Sequence, residues 1–124
     1  MSKLIDTATV KADELRGCCL GFPGSEQTFP FGHQTSVFKV AGKMFALSAL
    51  ESEPLKVSLK CEPELAAQLR PTYTAIAPGY HLNKRHWNTI TLDGSLADDM
   101  VRNLIEDSYD LIVAALPRRA RDEL

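Results

Sequence analysis

The chain has 124 residues, of which 44% are hydrophobic and 24% are charged, and its formal net charge is −2. This length fits one domain, residues 1–124, with one hydrophobic core. The near-neutral charge excludes the overall basic excess of a dedicated non-specific nucleic-acid binder, so any site for a polyanion must be a local patch.

The number and spacing of the cysteines indicate the redox state of the compartment in which the protein functions. Three are present, Cys18, Cys19 and Cys61, and two of them are adjacent, which is not the pattern of a disulfide framework. Such usage is typical of a reducing environment. The N-terminus lacks a basic-then-apolar signal pattern, and no apolar run approaches the roughly 20 residues of a membrane helix. We therefore expect a cytoplasmic protein without a membrane partner.

The first predicted element is a helix over residues 9–20. Its apolar face is formed by Leu15, Cys18, Cys19 and Phe22. Gly21 and Pro23 are expected to end the helix. On this face Cys18 and Cys19 are interpreted as small core residues rather than as reactive thiols.

Three strand-like runs follow, at residues 37–40, 43–47 and 55–61. The first two are separated by Ala41 and Gly42, which predicts a two-residue hairpin. A short helix comes next, with Pro63 in its first turn, where a missing N–H is harmless, and with Pro71 as its stop. Two further strands are predicted at residues 73–77 and 87–92.

The last predicted element is a helix that Pro117 ends. Ser95 is expected to be its N-cap, with Asp98 at the capping-box position three residues later. The order of elements is therefore α-β(3–4)-α-β(2)-α. Hairpin-length connections imply a largely antiparallel sheet, and helices gathered on one face give a two-layer α+β sandwich.

The face of the sheet away from the helices is predicted to be basic. If the valine and leucines of residues 55–61 face the core, Lys56 and Lys60 face outward, and the same alternation turns Lys39 and Trp87 outward. Lysines beside an aromatic ring suit single-stranded nucleic acid. Lysines on exposed strands also discourage edge pairing, and Trp87 could instead fill a gap in the core, so both interpretations stay open.

The approach to the strand at residues 87–92 is unusually rich in cationic and histidine side chains. His81, Lys84, Arg85 and His86 lie within six residues, directly before Trp87. They suit an anion or a phosphate backbone, and they equally suit a turn whose His and Asn side chains satisfy loose backbone groups. The hypothetical nucleic-acid or anion site comprises Lys39, Lys56, Lys60, His81, Lys84, Arg85, His86 and Trp87.

No segment of the chain carries a catalytic pattern, and we expect no enzyme and no cofactor. A metal shared by His33, His81 and His86 is disfavoured, because no second ligand-spaced pair accompanies them. Gly79 and the pair Gly21 and Gly24 lie in predicted turns and do not form a phosphate-binding loop before a helix.

Nearly the whole chain resembles the MmcQ/YjbR family of small bacterial proteins, in one register. The N-terminal half of the resemblance is carried by Cys19-Leu20, Phe22-Pro23-Gly24, Phe29-Pro30-Phe31-Gly32, Val37-Phe38-Lys39-Val40, Lys43-Met44-Phe45-Ala46 and Leu59-Lys60-Cys61. The C-terminal half is carried by Tyr80-His81-Leu82-Asn83-Lys84, His86-Trp87-Asn88-Thr89, Leu92-Asp93-Gly94-Ser95, Glu106-Asp107-Ser108-Tyr109 and Leu116-Pro117. Each motif alone is weak, whereas their order together is specific.

The resemblance implies a two-layer sandwich of the frataxin-like or secretion-chaperone-like kind. It also implies the family's usual label, a DNA-binding protein with a "double wing" motif, and it supplies no catalytic residue. Phe22 departs from the family pattern, which has a leucine before Pro-Gly. Two functions follow as expectations: a DNA-binding or other nucleic-acid-binding protein, or a protein-interaction or chaperone-like adaptor without catalytic activity.

Overall fold

The computed structural model describes residues 10–124 and contains a six-stranded antiparallel sheet that packs against helices. The strands are β1 (Ser25–Thr28), β2 (Ser36–Val40), β3 (Lys43–Ser48), β4 (Lys56–Lys60), β5 (Ile76–Pro78) and β6 (Trp87–Thr91). The helices are α1 (Ala12–Leu20), α2 (Pro63–Thr72), α3 (Asp98–Ala114) and α4 (Arg118–Asp122). The strand order β1-β2-β3-β4-β6-β5 confirms the predicted α+β class.

The β2–β3 hairpin has the predicted two-residue turn. Ala41 and Gly42 have φ angles of 50° and 78°, and Val40 pairs with Lys43 directly across the turn. Two successive left-handed residues match the twist of a tight hairpin. On the other side of β2 lies β1, the fourth strand that the predicted order allowed for without locating it.

The core lies between one face of the sheet and the helices. Phe38, Phe45 and Leu59 of the sheet are at most 2% exposed, and they belong to the same buried cluster as Ile105 of α3. Burying each such side chain stabilises the fold by about 1.5–3 kcal/mol. The predicted inner face of α1 is confirmed, with Leu15 and Cys19 fully buried and Cys18 and Phe22 packed at the edge of the cluster.

The side chain of Ser108 in α3 forms hydrogen bonds with both β3 and β4 where the two strands stop pairing with each other. β3 and β4 pair only at Ala46–Leu59 and at Leu47–Ser58. Beyond that point the Ser108 hydroxyl donates to the carbonyl of Phe45 at 2.6 Å and accepts the backbone N–H of Lys60 at 2.9 Å. Because Ser108 is fully buried, its hydroxyl replaces strand hydrogen bonds that water cannot supply.

The start of α3 differs from the prediction. The backbone N–H of Ser95 donates to the Asp93 carboxylate at 3.0 Å, and the helix begins only at Asp98, with Ala97 as its N-cap. Ser95 is therefore used in an Asx turn and not as a helix cap, so the predicted capping box with Asp98 is wrong.

Other element boundaries also differ. Pro71 does not stop α2, which continues to Thr72, and the Tyr73 N–H closes its last turn on the Leu69 carbonyl. The carbonyl of Tyr73 then accepts the N–H of Ile76 in a turn, so β5 begins at Ile76 rather than at Tyr73. Pro117 precedes the short helix α4, which the sequence did not predict. The predicted start of the first helix at Thr9 lies outside the described residues.

Candidate nucleic-acid interface

The central strands β4 and β6 place the predicted basic and aromatic side chains in register on one face. Lys60 pairs with Trp87, and Lys56 pairs with Thr91. Since Leu59 and Ile90 belong to the core, the alternate residues face away from the helices. Trp87 is half-buried on this face, so its side chain neither fills a gap in the core nor is fully exposed to solvent.

Hydroxyl groups connect the middle of this face. The Oγ atoms of Ser58 and Thr89 lie 2.8 Å apart across the two strands, and Thr89 Oγ1 also accepts the backbone N–H of Tyr80 at 3.0 Å. Ser58 points to the predicted face but is only 5% exposed. These bonds fix the start of residues 79–86, hereafter the 79–86 loop, above β6.

Arg70 of α2 holds the other end of the 79–86 loop. Its Nε donates to Asn88 Oδ1 at 2.8 Å, and its Nη2 donates to the carbonyl of Trp87 at 3.2 Å and to the carbonyl of Lys84. A guanidinium has five donors in a fixed planar fork, so one side chain can satisfy these diverging acceptors. Sequence analysis did not single out Arg70.

The loop is further closed by its own residues. The carbonyl of Asn83 accepts the N–H groups of His86 and Trp87, and Asn83 Oδ1 accepts the N–H of Arg85 at 3.0 Å. Lys84 Nζ donates to the carbonyl of Gly79 at 3.2 Å. The hypothesis of a structured turn is thus supported for Asn83 and Lys84, and it does not account for the Arg85 side chain.

Gly79 is required by the close approach of β5 and β6. A Cβ atom at this position would lie 2.7 Å from the Cβ of Trp87 and 3.0 Å from its carbonyl oxygen. The Gly79 N–H donates to that same carbonyl at 2.7 Å. Any side chain at residue 79 would therefore displace Trp87 and with it the middle of the interface.

The loop presents aromatic rings to solvent. Tyr80 is 71% exposed, and its ring centroid lies 3.9 Å from that of His81 at an angle of 50°. His81 adopts a left-handed backbone conformation with φ 59°. The exposed tyrosine and the half-buried tryptophan offer two aromatic surfaces within one small region.

Positive charge is concentrated around these rings. Between Glu64 and Asp93 the chain contains no acidic residue, although 16 of the 124 residues are acidic. This acid-free stretch, residues 65–92, contains Arg70, Lys84 and Arg85. The ion pairs within residues 10–124, Glu14–Arg102 and Arg118–Asp122, use none of these cations. This stretch can be found in the sequence alone, although the net charge of the whole chain does not reveal the local excess of positive charge.

We call the set formed by Lys56, Lys60, Tyr80, Lys84, Arg85 and Trp87 the basic–aromatic surface. Lys39 lies apart from it, because β3 separates its strand from β4, which is about 10 Å in a sheet. Lys39 also faces Glu26 across β1 and β2. His81 and His86 flank the surface within the loop, and the carbonyl of His86 accepts the N–H of Cys61.

Within residues 10–124 no three His, Cys, Asp or Glu side chains come together as a metal site. Nor does any described helix combine the length and apolarity that crossing a membrane requires.

Comparisons with known proteins place the chain in a family. A family model named YjbR matches residues 20–111. The uncharacterised protein YjbR of Escherichia coli K12 is 40% identical over 109 residues, which cover 87% of this chain and 92% of the relative. The uncharacterised protein YbdF of Escherichia coli O157:H7 is 38% identical over 101 residues, which cover 81% of this chain and 82% of that protein.

Solved structures agree with this assignment. The crystal structure of Deinococcus radiodurans DR2400, described as a DUF419 domain, is 40% identical and superposes with a TM-score of 0.88, covering 94% of this chain and 88% of that one. A Pseudomonas syringae protein, 27% identical, superposes with a TM-score of 0.68 over 80% of this chain and 96% of its own. The chain belongs to the YjbR family.

Proposed function

We propose that this protein binds single-stranded nucleic acid through the basic–aromatic surface. The observation that carries the proposal is the placement of Lys60 beside Trp87 on adjacent strands, next to an exposed Tyr80 in a stretch without carboxylates. Cations along a sheet face neutralise phosphates, and exposed rings stack on bases of any identity.

The shape of the surface favours single strands over a duplex. Duplex recognition in the major groove uses an inserted helix or a two-stranded ribbon, whereas a sheet face with aromatic side chains receives unstacked bases. The 79–86 loop is held by Arg70 and by its own hydrogen bonds, so its aromatic pair is already positioned before binding. Such preorganisation lowers the entropic cost of association.

The first test measures affinity against salt. Fluorescence anisotropy with a labelled oligothymidine of about 20 nucleotides, at about 50 and 200 mM salt, gives the number of neutralised phosphates. Four cations, Lys56, Lys60, Lys84 and Arg85, predict an affinity loss of about 50-fold between the two salt concentrations. The Lys84→Ala/Arg85→Ala variant should bind more weakly at low salt and lose only about sevenfold.

The matched control is Lys43→Ala/Arg121→Ala, which removes one lysine and one arginine elsewhere. Lys43 pairs with the core residue Val40, and Arg121 lies in α4, so both are outside the basic–aromatic surface. This control should behave as the unsubstituted protein does. The absence of saturable binding at low salt, or an equal loss in the control, would refute the proposal.

Stacking is tested separately through Tyr80→Ala. Because this ring is mostly exposed, its removal should leave the unfolding midpoint nearly unchanged while it weakens oligonucleotide binding by about 5-fold or more. The salt slope should stay as it was, since no cation is lost. Equal affinity in the variant would show that Tyr80 does not contact a base.

A further inference from the structure

A groove opens on the opposite face of the sheet, between α2 and α3. It has a volume of about 370 Å³. Leu59 and Ile90 of the sheet lie at its base, while Leu65 of α2 and Leu104 and Leu111 of α3 form its sides. The groove is therefore lined mainly by aliphatic side chains, and it does not share the aromatic rings of the basic–aromatic surface.

One buried polar side chain contributes to the lining. Asn88 is 3% exposed, and its Oδ1 accepts a hydrogen bond from Arg70 Nε. Since a guanidinium can only donate, this bond fixes the orientation of the amide and leaves Nδ2 on the other side. Asn88 lines the groove, and its Nδ2 is not one of the enclosed side-chain atoms without a partner, so this donor is accessible to a molecule in the groove. An acceptor atom of a bound molecule would satisfy it.

The opening of the groove is acidic. Glu62, Asp107 and Asp110 line it and are exposed, against one cation, Lys60, at the end of β4. Neither ion pair within residues 10–124 involves these three carboxylates. The surroundings of the groove thus complement a positively charged group, in contrast to the face that carries Tyr80 and Arg85.

The size of the groove selects the class of occupant. Pockets for small molecules range from about 300 to 1,000 Å³, are mostly apolar and contain a few placed polar groups. A volume of about 370 Å³ fits that class.

We propose that the α2–α3 groove binds small apolar amines that carry a hydrogen-bond acceptor at the end opposite their ammonium group. The apolar body contacts Leu65, Leu104 and Leu111, and the acceptor receives a hydrogen bond from Asn88 Nδ2. The ammonium group lies at the acidic opening. This site meets the proposed nucleic-acid surface only at Lys60, which belongs to both, and neither proposal depends on the other.

Tyramine is the probe, because it combines a phenol oxygen, an aromatic ring and an ammonium group. Methyl NMR spectra of the full chain are recorded with tyramine up to about 10 mM, and a dissociation constant of about 1 mM or lower is expected. The methyl signals of Leu59, Leu65, Leu104 and Leu111 should shift. Phenethylamine, which lacks the acceptor, should bind about fivefold more weakly.

Charge is tested with 3-(4-hydroxyphenyl)propionate, which keeps the phenol and reverses the charge. It should bind about tenfold more weakly than tyramine or not at all. In Asp107→Asn/Asp110→Asn the affinity for tyramine should fall about fivefold, while that for neutral 4-ethylphenol should not change. The matched control Asp13→Asn/Asp99→Asn, with exposed aspartates outside the groove, should keep tyramine affinity.

Two results would overturn the proposal. One is the absence of shifts at the groove methyl groups with tyramine. The other is equal binding of the amine and the carboxylate, which would show that the groove accepts apolar molecules without regard to charge.

Discussion

A single guanidinium, that of Arg70, satisfies acceptors on three residues where the 79–86 loop joins β6. These are the carbonyls of Lys84 and Trp87 and the side-chain oxygen of Asn88. The arginine lies in α2, so it also ties that helix to the basic–aromatic surface. Its removal leaves partly buried acceptors without a donor, which is more harmful than the loss of an exposed charge.

We predict that Arg70→Ala lowers the free energy of unfolding by about 2 kcal/mol, measured by urea denaturation. Arg70→Lys should recover only part of this loss, because an ammonium group on a flexible stem cannot reproduce the planar fork. Chemical shifts of residues 84–88 should change in both variants. A lysine variant as stable as the unsubstituted protein would show that the charge, and not the fork, matters.

Burial also determines the chemistry of Cys19. The fully buried environment raises the pKa of this thiol to about 12. In the unfolded chain a cysteine ionises near pH 8.5, so above that pH the unfolded state loses a proton that the native state retains. The contribution of Cys19 to stability is therefore constant below about pH 8.5 and falls as the pH rises toward 12.

We predict that the free energy of unfolding falls between pH 8 and pH 10 by about 2 kcal/mol more in the unsubstituted protein than in Cys19→Ala. Other groups that ionise at high pH, such as Cys61 and Tyr109, contribute equally to both proteins. Guanidinium denaturation at the two pH values gives the difference. Parallel pH dependences would contradict the assignment of this effect to Cys19.

At the scale of elements, α3 does more than cover the sheet. Its Ser108 hydroxyl lies between β3 and β4 where these strands stop pairing, and it supplies hydrogen bonds to Phe45 and Lys60. The irregular pairing beside it, where Phe38 pairs with Ala46 and Lys39 with Met44, leaves Phe45 as an additional residue of β3. The backbone of Lys60, and so the end of β4 beside Trp87, is positioned by a helix on the opposite face.

We predict that Ser108→Ala destabilises the fold by about 2–3 kcal/mol, because a buried N–H and a buried carbonyl lose their partner. Ser95→Ala, an exposed serine outside the core, should change stability by no more than about 0.5 kcal/mol. Urea denaturation compares the two variants. Hydrogen exchange at the Lys60 amide should also become faster in Ser108→Ala, and an unchanged exchange rate would contradict the proposed role of the hydroxyl.

Strand positions and faces were largely predictable from the sequence because they follow local rules. Alternation placed β2, β3, β4 and β6, and Ala41-Gly42 gave the hairpin turn. Local rules failed where two of them competed, as at Ser95, whose backbone entered an Asx turn with Asp93. The roles of Arg70 and Ser108 could not be predicted, because their partners are distant backbone groups that no spacing pattern reveals.

At the scale of the whole molecule, the sheet separates two surfaces of opposite character. The basic–aromatic surface lies on one face, and the acidic opening of the α2–α3 groove lies on the side of the helices. Because only one layer of strands lies between them, residues of β6 contribute to both: Trp87 faces one side and Asn88 the other. Lys60, at the end of β4, is also common to both surfaces.

The acid-free stretch has a consequence for how the molecule meets other charged bodies. A chain with net charge −2 is repelled as a whole by a polyanion at long range, yet residues 65–92 are attracted to it. The electric field of a polyanion therefore rotates the protein so that residues 65–92 face the polyanion before contact. The uneven charge distribution therefore orients the molecule during its approach to a polyanion more than it increases the total attraction. At about 0.1 M salt, screening limits the range of this orienting effect to about 10 Å.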